Sequence, residues 1–192
     1  MKPSFAFLCL AVVVIVTPVA RTQQMPAYTE GGPVPPAITN AKNIFVSNGG
    51  ADAGLFPERL PFTNSLLSQP FTGDSARPYT EFRAALQATK EYTLVSDPNQ
   101  ADIVLELRLT APYGPSNPNR QNGASDPLPQ FRLVVYDVKS HYILWTFTES
   151  IEPAYLQKTH DKNFDQALSA LLTQFLTVAH RPAVAPPPPP AQ

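Results

Sequence analysis

The chain has 192 residues, 23 of them proline, with a single cysteine and a net charge of -1. The length suits one domain rather than two, and the near-neutral charge gives no electrostatic reason to expect nucleic acid or an anionic membrane as partner. One cysteine, Cys9, excludes an intramolecular disulfide and a multi-thiolate metal site.

The chain opens on a targeting pattern. Lys2 supplies a small positive end, residues 5–16 are an apolar run, and Thr17-Pro18-Val19-Ala20 closes it with small residues. That order reads as a secretory signal peptide over residues 1–20, cleaved after Ala20. The run is short for a span, which needs about 20 apolar residues, so a membrane role is expected only if the segment is retained. Ala6-Phe7-Leu8-Cys9 does not form a lipoprotein box. The expected location is periplasmic or secreted.

Residues 21–42, with Gly31-Gly32 and several prolines, read as a disordered linker. A single α+β domain is expected over residues 43–181. Its first strand is Asn43-Ile44-Phe45-Val46-Ser47, ended by Asn48-Gly49-Gly50. Residues 51–77 are irregular, yet Leu55, Phe56, Leu60, Phe62, Leu66, Leu67 and Phe71 are too apolar for free coil, so the stretch should pack on the domain.

Pro78 suits the first turn of a helix. Tyr79, Phe82, Ala85, Leu86 and Thr89 then recur at helical spacing towards Tyr92. A short strand, residues 93–96, leads to the turn Asp97-Pro98-Asn99-Gln100. Ile103, Leu105, Leu107 and Leu109 alternate with Val104, Glu106, Arg108 and Thr110, the mark of a strand with one buried face. The proline-rich stretch 111–129 reads as a long structureless loop, uncommon unless functional or disordered.

Phe131, Leu133 and Val135 alternate with Arg132, Val134 and Tyr136, and after a short turn Ile143, Trp145 and Phe147 alternate with Leu144, Thr146 and Thr148. These strands predict an antiparallel hairpin. Phe164, Leu168, Leu171, Leu172, Phe175 and Leu176 form the stripe of a last helix over residues 161–179, with Asp161 placed as its cap. Residues 182–192 form a proline-rich tail suited to polyproline II. The expected fold is a mixed, mostly antiparallel sheet of about five strands with two helices on one face. The connection between Val95 and Ile103 leaves open whether their strands are neighbours or separated by another.

Several runs carry a resemblance. Phe82-Arg83-Ala84-Ala85-Leu86 is followed by Tyr92-Thr93-Leu94-Val95 and Ala101-Asp102-Ile103-Val104-Leu105. Then come Leu133-Val134-Val135-Tyr136-Asp137, Leu144-Trp145 and Phe164-Asp165-Gln166-Ala167-Leu168. Over residues 43–179 this resembles small bacterial envelope domains related to the amino-terminal domain of TolB, and uncharacterised periplasmic lipoproteins. The resemblance implies an envelope setting and a partner-binding or assembly role, and it carries over no catalytic residue.

Candidate chemistry is sparse. Asp161-Lys162-Asn163-Phe164-Asp165 starts like a calcium loop, but Gln166 and Leu172 occupy the positions of the required glycine and glutamate. His141, His160 and His180 lack the i, i+4 pairing of a helical zinc site and suit surface or end-of-element roles. The loop 48–54 lacks both phosphate-binding glycine patterns and reads as a turn. No cofactor or metal is implied.

The outer sheet face, with Arg108, Arg132 and Tyr136 among aliphatics, has an interface-like mixture. The leading expectation is a non-enzymatic exported domain that binds an envelope protein or cell-envelope component through this face and the 111–129 loop. The alternatives are an exported hydrolase using carboxylates such as Glu106 or Asp137 under that loop, and a structural domain without a specific ligand.

Overall fold

The computed structural model describes residues 33–56, 70–116 and 125–182. In chain order they form helix α1 (Pro36–Thr39), strand β1 (Asn43–Ala51), helix α2 (Arg77–Ala88), strand β2 (Thr93–Leu94) and a 3₁₀ turn (Pro98–Gln100). These are followed by strands β3 (Ile103–Thr110), β4 (Tyr113–Ser116), β5 (Ser125–Pro127), β6 (Gln130–Asp137) and β7 (Ile143–Ser150), and by helix α3 (Gln157–Ala179). The signal segment, the linker up to residue 32, Leu60, Phe62, Leu66 and Leu67, and the tail beyond Pro182 lie outside the described residues.

The fold is α+β, on a mixed five-stranded sheet of order β2-β1-β3-β6-β7. β1 pairs in parallel with β2 and β3, while β3, β6 and β7 run antiparallel. β2 and β3 are therefore parallel and separated by β1. The Asp102 carboxylate fastens this arrangement. It accepts the N–H groups of Lys42 at 2.9 Å and Asn43 at 2.8 Å. Those two bonds, Asn43 first, hold its pKa below the ordinary value. The Ala101-Asp102 pair that opens β3 is thus a structural clasp on the start of β1.

Period-two alternation decides which residues are buried. Ile103, Leu105, Leu107 and Leu109 of β3, Ile44 and Val46 of β1, and Phe131, Leu133 and Val135 of β6 share one cluster. Phe82 and Leu86 of α2 and Phe164, Leu168, Leu171 and Phe175 of α3 join it. Both long helices lie on the same sheet face, as the stripes require.

Three elements differ from the sequence expectation. Val34, Ile38 and Ala41 are buried in the same cluster, so residues 33–42, expected as linker, are packed domain. Their spacing of four and three lets one short helical turn bury all three side chains. β1 does not stop at Asn48; it passes through a register irregularity between Asn48 and Ala51. Gly50 adopts φ +81° there, a left-handed conformation that glycine tolerates. Finally, 111–129 is not structureless. β4 and β5 pair as a two-stranded ribbon, Tyr113 opposite Pro127, and the Leu128 N–H donates to the Pro112 carbonyl at 2.8 Å. Prolines are tolerated because such a ribbon is all edge.

At Gly49 β1 lies close against β3. A Cβ built there lies 2.9 Å from the Leu107 carbonyl oxygen and 3.1 Å from the Arg108 Cβ. Both neighbours belong to the central strand and cannot withdraw. Gly49→Val should therefore lower unfolding free energy by about 2 kcal/mol or more in urea titration. An unchanged midpoint would refute this register of β1 on β3.

Candidate partner-binding face and the groups around it

The sheet face turned away from the helices carries Val104, Glu106 and Arg108 of β3 and Arg132, Val134 and Tyr136 of β6. Antiparallel register sets Val104 opposite Tyr136, Glu106 opposite Val134, and Arg108 opposite Arg132. Val134 is only 4% exposed although it stands outside the helix-side cluster. Tyr136 and Val104 are half-buried around it, and Arg108 and Arg132 are exposed; Leu144, at a register irregularity between β6 and β7, packs against the helix-side cluster instead. The three residues expected at a partner surface thus share one face.

The two arginines are not equivalent. Arg108 Nη2 lies 3.0 Å from Asp52 Oδ1. Asp52 also accepts the Ala111 N–H at 3.0 Å, which ties the end of β1 to the end of β3. Arg132 makes no ion pair with any described residue. Like charges directly opposite on neighbouring strands are unfavourable by roughly 0.2–1 kcal/mol.

The carboxylates weighed for a hydrolytic site do not meet under the ribbon. Glu106 lies mid-strand on the outer face. Asp137 closes β6 at the end opposite the ribbon, roughly 20 Å away at about 3.4 Å per residue. Its carboxylate accepts the Ser140 hydroxyl at 2.5 Å and the Ser140 N–H at 2.9 Å. These bonds hold its pKa low and cap the hairpin turn. Asp137 is a turn residue rather than half of an acid–base pair.

A second polar feature is a groove of about 270 Å³ between β7 and α3, lined by Glu149, Ser150, Glu152, Asn163 and Gln166 over Ala167 and Ala170. Burial raises the Glu149 pKa, and the Gln174 amide donates to its carboxylate.

The most densely bonded cluster was not anticipated from sequence. Arg77, at the first turn of α2, donates through Nε to Glu81 at 2.8 Å, through Nη1 to Asp161 at 3.1 Å, and through Nη2 to Asp165 at 2.6 Å. Its guanidinium carbon lies 4.2 Å above the Phe164 ring centroid, in cation–π range. Asp161 also accepts the Thr72 N–H at 3.0 Å and the Gln157 amide at 3.0 Å. Burial acts against its ionisation, but Gln157, Thr72 and Arg77 together hold its pKa down at about 2.

Asp161 is therefore not the helix cap. α3 begins a turn earlier, after Leu156, and Asp161 clasps residue 72 and α2 to α3. His160 also departs from expectation. It is 4% exposed, stacks on Phe71 at 4.1 Å between centroids, and its Nδ1 is buried without a hydrogen-bond partner among the described residues. Burial lowers its pKa, with Asp161 acting in the opposite sense. His180 does stand at a helix end, 2.6 Å from Glu91, and His141 lies in the hairpin turn with φ +60°. Among the described residues no group of three or more His, Cys, Asp or Glu side chains is placed to hold a metal ion, and no helix is long and apolar enough to cross a membrane.

These features define an α+β domain with one sheet face covered by helices and the other carrying a mixed apolar and arginine surface. No protein-family model matches the chain, and no curated protein matches it. Solved structures of similar arrangement come from small bacterial proteins. One is a DUF4136-family protein from Bacteroides thetaiotaomicron, 12% identical, covering 76% of this chain and 92% of that one, TM-score 0.46. Another is a DUF330-family protein from Xanthomonas campestris, 13% identical, covering 72% and 82%, TM-score 0.43. A lipoprotein from Neisseria meningitidis is 15% identical, covering 71% and 99%, TM-score 0.35.

Proposed function

We propose that the chain is an exported, non-enzymatic envelope domain that binds another protein through the outer face of β3 and β6. The observation that carries this reading is the placement of Arg108 directly opposite Arg132, both exposed, beside the apolar patch of Val134, Tyr136 and Val104. An isolated domain gains nothing from two opposed guanidiniums of which, among the described residues, only one has a carboxylate. A partner that presents an acidic group to Arg132 and apolar surface to Tyr136 turns that cost into recognition. Local rules are most often broken where function requires it, and Tyr and Arg are the residues that anchor interfaces. The N-terminal pattern of residues 1–20 supports export. The short motifs that resemble the TolB amino-terminal domain support an envelope setting.

Arg132 supplies charge and Tyr136 supplies area, so each has its own test. Arg132→Glu reverses the charge without touching the helix-side core, and it should abolish recovery of the partner after cross-linking in intact cells. Tyr136→Ala, or replacing 113–127 by a short turn, should weaken recovery while leaving thermal stability unchanged. Full recovery in Arg132→Glu and Tyr136→Ala, both folded, would sink the reading.

A further inference from the structure

Residues 70–72 form a strap across the start of α3. The Gln157 amide donates to the Pro70 carbonyl at 3.1 Å, the Thr72 N–H to Asp161 Oδ1 at 3.0 Å, and Arg77 Nη1 to the Thr72 carbonyl at 3.0 Å. The Phe71 N–H donates to the Leu55 carbonyl at 2.8 Å. Between these bonds the Phe71 ring lies flat on His160, with centroids 4.1 Å apart and planes 5° apart. Phe71 also packs on Phe56 at 6.1 Å and Phe164 at 5.0 Å. The strap thus closes over the aromatic cluster, and the imidazole is the part of α3 it rests on.

We propose that this strap is an acid-operated latch: a neutral His160 holds residues 70–72 on α3, and a proton on its ring releases them and uncovers Phe56, Phe71 and Phe164. The contact suits only the neutral ring. An imidazolium carries two N–H donors, and Nδ1 is enclosed without a hydrogen-bond partner, so one donor of the charged ring would lack an acceptor. His160 is also the fourth residue of α3, at the positive helix end. A cation–π contact with Phe71 favours the charged ring but gives Nδ1 no acceptor. Asp161, next in the chain, favours the proton, yet its oxygens are taken by Thr72, Gln157 and Arg77. Arg77 of α2 is tied to Glu81, Asp161 and Asp165. Among the other charges on the surrounding elements, Asp74 accepts the Ala76 N–H, Asp52 pairs with Arg108, Glu152 lines the groove against β7, and Lys158 and Lys162 are exposed. The released ring therefore takes the proton first. The closed strap is favoured above about pH 6.5 and loses ground as pH falls towards the lower pKa of the buried ring. Asp161 stays ionised down to about pH 2 and adds nothing in this window. The latch is independent of the partner-binding face.

Amide hydrogen exchange followed by NMR on the purified full-length chain tests this, with rates corrected for the intrinsic effect of pH. The Phe71 and Thr72 amides should exchange faster than those of β3 and β6, through an opening that low urea leaves unchanged, the mark of local release. Below about pH 6.5 that opening should grow by up to about tenfold per pH unit, the limit for one proton. His160→Phe keeps the stack on Phe71 and removes the titration, so its strap amides should open to the same extent at every pH. Strap amides that exchange only together with β3 and β6, an opening that does not change with pH, or the same pH dependence in a folded His160→Phe variant overturns the proposal. If that variant does not fold, the urea and pH dependence of the wild-type strap amides decides.

Discussion

Phe164→Ala should lower unfolding free energy by about 3–5 kcal/mol, the usual cost of emptying a buried phenylalanine site, and the thermal midpoint by roughly 10 °C. The ring is fully buried, and four other groups depend on it. It meets Phe71 at 5.0 Å, Phe131 at 5.0 Å and Phe56 at 6.4 Å between centroids, and it carries the Arg77 guanidinium at 4.2 Å. Phe131 belongs to the sheet, Phe164 to α3, and Phe56 and Phe71 to the segments flanking residues 57–69. One ring therefore joins three parts of the fold. The site cannot collapse, because β6 and α3 are both fixed by other contacts. Phe164→Leu keeps most of the volume and should cost less than half as much. A loss below about 1 kcal/mol for Phe164→Ala would show that the aromatic cluster is not the centre of the core.

Stability should fall with acid in two stages, the upper one set by His160 and the lower one led by Asp161, with Asp102 and Asp137 acting in the same sense. The His160 pKa is depressed in the fold below the ordinary value of 6.5 by burial. A depressed folded pKa means the unfolded chain takes up the proton first, so its contribution is present above about pH 6.5 and is lost as pH falls through the folded value. Asp161 behaves likewise at lower pH, with a folded pKa of about 2 against an ordinary 3.8. Its contribution is whole above about pH 4 and is lost towards pH 2. With its side chain 19% exposed, solvent screening brings that contribution to about 1–2 kcal/mol. Arg77 links Asp161 to Glu81 and Asp165 in one ion-pair cluster.

Urea titrations between about pH 7 and pH 2 separate the stages. His160→Phe, which preserves stacking on Phe71, should flatten the upper stage only, and Asp161→Asn should make the lower stage smaller without removing it, because Asp102 and Asp137 remain. A wild-type curve flat between about pH 7 and pH 5, or one whose upper stage survives His160→Phe, would contradict the buried neutral imidazole.

What the sequence reveals of this fold follows the range of the interaction involved. Alternation in residues 103–110 and 131–136 places every outer-face residue correctly, because side-chain direction in a strand depends only on parity. Arg108, Arg132 and Tyr136 come together for that reason. Their register, arginine opposite arginine, depends on how β3 and β6 align, which parity does not determine.

The Arg77–Asp161 pair joins residues 84 apart, and neither has a local pattern that announces the other. His160 was legible in principle. The stripe Phe164, Leu168, Leu171, Phe175 extended back one turn reaches it, so a buried position was available to a residue otherwise read as surface. Val34, Ile38 and Ala41 gave a similar signal, masked by surrounding prolines. Proline density also hid the β4–β5 ribbon, since central strands exclude proline and a free two-stranded ribbon does not.

The most direct test of partner binding through the outer face is site-specific photo-cross-linking in intact cells. A photoreactive side chain replaces Arg132, Tyr136 or Gln87, the last exposed on α2 on the opposite side of the domain. The predicted result is one and the same protein adduct from positions 132 and 136, absent from position 87 and lost from position 136 when Arg132→Glu is added. Adducts formed equally from all three positions, or from position 87 alone, would contradict a binding surface on β3 and β6.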